Sequence, residues 1–171
     1  GSYSARVFSS ATNIIITKII ANGNMTNGQI YAGSTTANND ANYNFTKSSD
    51  ANFNTQFTTI PDSLTVWVAF KAKSNTTEAK ITTTIHGDTD LKQLAKSGNS
   101  PADMVCATAD AEIEATSTSA VVWKRVTIPF TKGSYNVPGY ILTTFNTNAS
   151  PVGGSEGDEL YVDDICLIYN P

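Results

Sequence analysis

Few side chains in this sequence are placed to do chemistry. They are Trp67, Lys71, His86 and Arg125, the aromatics Tyr31, Tyr43, Phe45 and Phe53 set among asparagines, and the adjacent acids Asp163 and Asp164. Trp67 falls in an alternating run with Thr65 and Lys71, which puts an indole on a polar strand face. Sugars present weakly polar C–H faces and a rim of hydroxyls. An exposed indole stacks on the first, while ammonium, imidazole, guanidinium, amide or carboxylate groups bond the second. Trp67 is therefore a candidate platform, with Lys71, His86 and Arg125 as hydroxyl contacts. The competing reading has Trp67 covered by a loop, and the segment 32–59 is an available lid. Trp123 either meets a ligand or packs under a loop. Tyr31 and Tyr43, with Phe45 and Phe53, either build a loop-tip sugar site or pin the loop to a sheet.

The acidic pair lies in an alternating run, Glu159 to Tyr169, that follows the turn Gly154-Ser155-Glu156-Gly157-Asp158. Neighbours in a strand face opposite sides. One aspartate then shares a side with Val162, Cys166 and Ile168, and the other with Tyr161, Ile165 and Leu167. At least one carboxylate is expected on or beside an apolar face, where it needs hydrogen bonds or a cation.

Hydrolytic chemistry has less to stand on. A glycoside hydrolase needs two carboxylates about 5–9 Å apart across a cleft, and with fifteen acids in the chain some pair always qualifies. Asp110, Glu112 and Glu114 share one face of an extended stretch, a run that water normally solvates. His86 is the only histidine, so a Ser-His-Asp triad would have to use it. No G-x-S-x-G elbow, G-x-G-x-x-G or P-loop is present. Cys106 and Cys166, sixty residues apart, allow one disulfide or two free thiols, with Cys166 suited to plain packing between Ile165 and Leu167. Without a C-x-x-C and with a single histidine, zinc has no support.

Positioning these groups requires a scaffold of strands. The 171 residues suit one domain, 1–171, with its own core. Asn and Thr together number forty, and they favour turns and strands respectively, wetting the surface with amides and hydroxyls in place of charge. A net charge of −4 with eleven scattered basic residues argues against nucleic acid and anionic membranes as partners. No apolar run approaches a transmembrane span.

Alternation and turn punctuation predict strands over Ala5–Ser9, Ile14–Ile20, Gly28–Tyr31, Ser63–Ala72, Glu78–His86, Asp103–Thr108, Val121–Pro129, Gly139–Thr147 and Glu159–Tyr169. One short helix is predicted over Asp90–Gly98, capped by Asp90, with Leu91 and Leu94 on one side. Segments 32–59 and 132–138 read as loops. Leu64, Val66, Val68 and Phe70 form a core face, as do Ala79, Ile81, Thr83 and Ile85. Trp67, His86, and Trp123 with Arg125 are left on the polar outer faces of two packed sheets.

The order of several short motifs carries a family resemblance. Tyr3-Ser4-Ala5-Arg6-Val7, Gly23-Asn24-Met25-Thr26-Asn27-Gly28-Gln29-Ile30, Pro61-Asp62-Ser63-Leu64, Trp123 to Phe130 and the closing Leu160-Tyr161-Val162-Asp163-Asp164-Ile165 together resemble the PCMD family, the carbohydrate metabolism domain of gut Bacteroidetes lipoproteins. The final strand is also similar to those of carbohydrate-binding jelly rolls. The resemblance implies an antiparallel β-sandwich of jelly-roll, galactose-binding-like type. It implies an exported lipoprotein of the periplasm or outer-membrane surface, and a chain that is the C-terminal part of a longer protein. It further implies a noncatalytic module that holds an oligo- or polysaccharide for other glycan-utilisation proteins. A structural or protein-interaction domain of a cell-surface assembly is the alternative, and a glycoside hydrolase the third reading. Asp163 or Asp164 would, by the same resemblance, be a ligand of a structural calcium.

Overall fold

The computed structural model describes residues 2–14 and 17–170. Its strands are β1 (Ala5–Phe8), β2 (Ser10–Ile14), β3 (Thr17–Ala21), β4 (Asn24–Thr26), β5 (Gln29–Ala32), β6 (Asn42–Thr46), β7 (Ser63–Lys71), β8 (Glu78–His86), β9 (Leu91–Leu94), β10 (Gly98–Ser100), β11 (Val105–Glu114), β12 (Lys124–Pro129), β13 (Thr131–Lys132), β14 (Tyr140–Asn146) and β15 (Glu159–Ile168). Among the described residues the only helical turn is the 3₁₀ turn Ala102–Met104.

Two sheets make the sandwich. The first has the order β1-β15-β7-β12 and the second β13-β11-β8-β14-β4, every ladder antiparallel. The chain passes from β7 to β8, from β11 back to β12, across to β14 and back to β15, so it wraps between the sheets as a jelly roll does. The alternation in β7 does what it predicts. Leu64, Val66, Val68 and Phe70 are fully buried, facing Ala79 and Ile81 of β8, Ala109 and Ile113 of β11, and Phe145 of β14. Each large side chain removed from water here contributes about 1.5–3 kcal/mol.

A third sheet, β10-β9-β6-β5, lies over one end of the outer face of the second. Leu91 of β9 is buried with Val105 and Leu142 from that face. This contact explains why the helix expected over Asp90–Gly98 is absent. Leu91 and Leu94 have helical spacing, but β9 pairs with β6 in register Thr46↔Leu91 and Tyr43↔Leu94, and tertiary pairing outweighs local preference. Asp90 caps no helix. Its carboxylate accepts from Ser48 N at 2.7 Å and Ser48 Oγ at 2.6 Å, tying the third sheet's two turns together. The segment 32–59, read as a loop, contains β6. Gly28, at the entry to β5, is needed because a Cβ there would collide with the Phe45 carbonyl and the Leu142 side chain.

The strand expected over Ile14–Ile20 runs through Ile15 and Ile16, which lie outside the described residues. Its flanks form two strands, β2 and β3, paired Ile14↔Thr17 through Ser10↔Ala21. Cys106 and Cys166 are free thiols, Cys106 buried in the sandwich and Cys166 exposed, so the packing role expected of Cys166 does not hold.

Candidate functional site

On the outer face of the first sheet, Trp67 is flanked by a direct partner on each side. Arg125 of β12 stands opposite it, and so does Asp163 of β15. Directly opposed residues share a face, with Cβ atoms about 5 Å apart. The row Arg125–Trp67–Asp163 therefore places a guanidinium, an indole and a carboxylate side by side. Trp67 is 40 % exposed and Trp123, just before β12, 39 % exposed. Both line a shallow concavity of about 480 Å³ together with Tyr3, Asp163 and Asp164. The edge of Trp123 meets Tyr161 at 6.4 Å between ring centroids, which fixes the second indole against the sheet. No lid covers Trp67: the segment expected to do so forms part of the third sheet.

A β-bulge shapes the acidic side of this concavity. Asp163 pairs with Trp67 and Cys166 with Thr65, so three steps on β15 match two on β7. Asp164 takes φ +48°, a left-handed conformation that aspartate tolerates, and its amide donates to Asp163 Oδ1 at 2.9 Å. The extra residue breaks the expected alternation. Leu160 and Val162 point into the core before the bulge and Leu167 packs on the core after it. Both aspartates consequently line the outer-face concavity, Asp163 half-buried beside the Trp67 indole and Asp164 exposed. No group of three or more His, Cys, Asp or Glu gathers among the described residues, so a calcium held by Asp163 or Asp164 would draw its remaining ligands from carbonyls, amides or water.

The other expected sugar contacts are dispersed. Lys71 lies on the same sheet face, but its ammonium is paired with Glu159 at 2.5 Å. Arg6 of β1 also pairs with Glu159, and Tyr161 Oη donates to it at 3.1 Å. The Lys71 bond, followed by that of Arg6, holds the Glu159 carboxyl down at about 2. This cluster fastens β1 and β7 to β15 and leaves Lys71 engaged away from Trp67.

His86 is not on an open face. It sits in the second sheet, 0 % exposed beneath the third, with Nε2 sharing a 2.8 Å hydrogen bond with Thr46 Oγ1 of β6. Burial pushes its pKa down to about 4. Tyr31 and Tyr43 are cross-strand partners on β5 and β6, stacked at 4.9 Å, and stand on strands, not at a loop tip. Phe45 meets Tyr43 edge-on at 5.5 Å, and Lys92 lies 4.6 Å over the Tyr43 ring.

The β12–β7 pairing brings Trp67, Trp123 and Arg125 to one face; the sequence put them on polar outer faces and left the strand neighbours open. It did not reveal that Asp163 and Asp164 border the same concavity, because that depends on the β15–β7 register and the bulge.

No known family profile matches the chain, and no curated protein does. Among solved structures, one described as a "putative glycoside hydrolase" from Bacteroides thetaiotaomicron VPI-5482 superposes with a TM-score of 0.70 at 18 % identity. The alignment covers 98 % of this chain and 54 % of the other, so the chain spans about half the length of that protein. The likeness establishes the shared all-β fold.

Proposed function

We propose that this chain is a single noncatalytic carbohydrate-binding domain of an exported glycan-utilisation protein, with an oligo- or polysaccharide as its ligand. The observation that carries the reading is the pair of half-exposed indoles, Trp67 and Trp123, lining one concavity whose rim holds Asp163 and Asp164. Trp67 stacks on a sugar C–H face. Arg125 donates to ring hydroxyls and Asp163 accepts from them. The open, shallow shape suits a stretch of chain lying along the sheet. The solved relative is described in terms of glycoside hydrolysis, which fits a module that works beside such an enzyme. Location at the periplasm or cell surface follows from the PCMD resemblance and belongs to the same proposal.

Hydrolysis by this chain draws less support. Asp163 and Asp164 are chain neighbours on one wall, so they do not face each other across a bond in the way an acid and its partner carboxylate must. The interaction-domain reading needs only an exposed sheet face or edge and would be favoured by a buried Trp67, whereas Trp67 is 40 % exposed.

A glycan-array screen of the wild type and Trp67→Ala tests the proposal. Selective binding that disappears in the variant supports it. Absence of any glycan binding by a folded wild-type sample counts against it.

A further inference from the structure

The outer face of the second sheet is divided in two. At one end Thr84, His86 and Leu142 are sealed beneath the third sheet. At the other end two rows of polar residues continue, open except at Thr144, which is buried. One runs Thr26–Thr144–Thr82–Asp110 across β4, β14, β8 and β11, and the next runs Asn24–Asn146–Lys80–Glu112. The edge of the third sheet rises beside them as a wall carrying Asn44 and Gln93, with Tyr31, one residue out of phase with them, at the rim. Floor and wall enclose a groove of about 500 Å³, within the range of small-ligand sites.

The groove is braced from below. Asn24 Nδ2 donates to Asn44 Oδ1 at 2.8 Å, and Thr144 Oγ1 donates to Gln93 Oε1 at 2.7 Å. Gln93 Nε2 then donates to Thr84 Oγ1 at 3.3 Å. These bonds hold the wall on the floor through amides and hydroxyls, where the sandwich core uses apolar contacts. Above the braced layer, Thr82, Lys80, Asp110 and Asn146 present donors and acceptors, and Tyr31, 51 % exposed, borders the groove at its rim. Asp110 is exposed by area, yet the walls withdraw enough water to hold its carboxyl above the ordinary range, with Lys80 opposing.

We infer that this groove is a second saccharide-binding site, separate from the Trp67 face and selective for uncharged, hydroxyl-rich sugars. An amide wall with an aromatic side chain at its rim, beside a floor of hydroxyl, amide, ammonium and carboxylate groups, matches the hydroxyls of a sugar and leaves an apolar edge for its C–H face. One cation and one anion in the groove offset each other, so neither an acidic nor a basic sugar gains a net attraction. Asp110 is the one carboxylate among the described residues that line it. Glu112 turns toward a neighbouring depression with Glu78, which leaves the groove a single acid and a binding role.

The test is ¹H–¹⁵N NMR of the isotope-labelled chain, titrated separately with glucose, galactose, mannose, xylose and N-acetylglucosamine, and with glucuronate as the charged control. Wild type, Trp67→Ala, Tyr31→Ala and Asp110→Asn are compared, and each spectrum reports whether its variant is folded. A neutral sugar is expected to shift the amides of Thr82, Lys80, Asp110 and Asn146 in the wild type and in Trp67→Ala. Asp110→Asn should weaken that response about tenfold, the scale of a hydrogen bond to a charged group. Tyr31→Ala should weaken it by a similar factor. Shifts confined to the surroundings of Trp67 would overturn the second site and leave the first. Groove shifts without any at Trp67 would support the groove and contradict the first site. No shifts at either place, or groove shifts with glucuronate as large as with neutral sugars, would overturn the inference.

Discussion

Arg125 and Trp67 are direct cross-strand partners on the outer face of the first sheet, with the guanidinium exposed beside a half-exposed indole. Neither side chain contributes to the sandwich core, so Arg125→Ala should leave the melting temperature within the small range typical of surface changes. Glycan affinity should fall about tenfold, because a charged donor to sugar hydroxyls is lost. Calorimetric titration with an array-selected glycan, beside a thermal melt, reads both quantities. A large loss of stability would place Arg125 in the scaffold instead.

His86 makes the docking of the third sheet pH-dependent. Its pKa is about 4 in the folded chain against about 6.5 when unfolded, so the unfolded state binds more protons between these values. The stabilisation is complete above pH 6.5, declines as the pH falls, and is spent below pH 4. A shift of this size corresponds to about 3 kcal/mol. Urea unfolding at intervals across that range should show the decline, and His86→Gln, which keeps a hydrogen-bonding group toward Thr46, should flatten it. Equal slopes in both proteins would contradict the assignment.

The bulge at Asp164 depends on a positive φ. Valine there must adopt a left-handed conformation at a cost of roughly 1–2 kcal/mol, so Asp164→Val should lower stability by about that amount. Asp164→Gly should fold at least as stably as the parent, since glycine takes the conformation freely. If Asp163 or Asp164 ligates a calcium, as the jelly-roll resemblance implies, addition of EDTA to the calcium-loaded wild type should lower its melting temperature, and an unchanged melt would contradict that ligation. Denaturant titrations of both variants, and melts with and without EDTA, check the three outcomes.

The two thiols should separate cleanly in reactivity. Cys166 is exposed and should react promptly with a thiol reagent such as DTNB. Cys106 is buried and its thiol pKa is pushed up by that burial, so it should react only when the chain opens. The expected record is one fast equivalent in native conditions and a second in denaturant. No free thiol at all would indicate a disulfide.

The sandwich was legible because every second residue of its long strands is apolar and buried in the core. The run Leu64, Val66, Val68, Phe70 names its own inward side, and Trp67 and Arg125 fall on the outer side by the same parity. Parity failed where something other than the local pattern decided the outcome. His86 alternates onto a polar face, but that face is roofed by a third sheet whose strands are too short and too rich in asparagine to stand out. Leu91 and Leu94 keep helical spacing, yet edge pairing with β6 takes them. At Asp163 and Asp164 one inserted residue reverses the phase, and nothing in the local sequence marks the insertion. The meeting of Trp67 with Asp163 depends on register between β7 and β15, two strands nearly a hundred residues apart in the chain, which periodicity alone does not specify.

The most direct test of the central claim is the affinity of wild type and Trp67→Ala for one array-selected glycan, measured with thermal melts of both and with Trp67→Phe as a partial rescue. Loss of a stacking aromatic of this kind costs about 1–3 kcal/mol, so affinity should fall roughly tenfold to a hundredfold. The melting temperature should scarcely move, and phenylalanine should recover part of the binding. Unchanged affinity in Trp67→Ala, or a collapse of stability without a specific binding defect, would contradict the account.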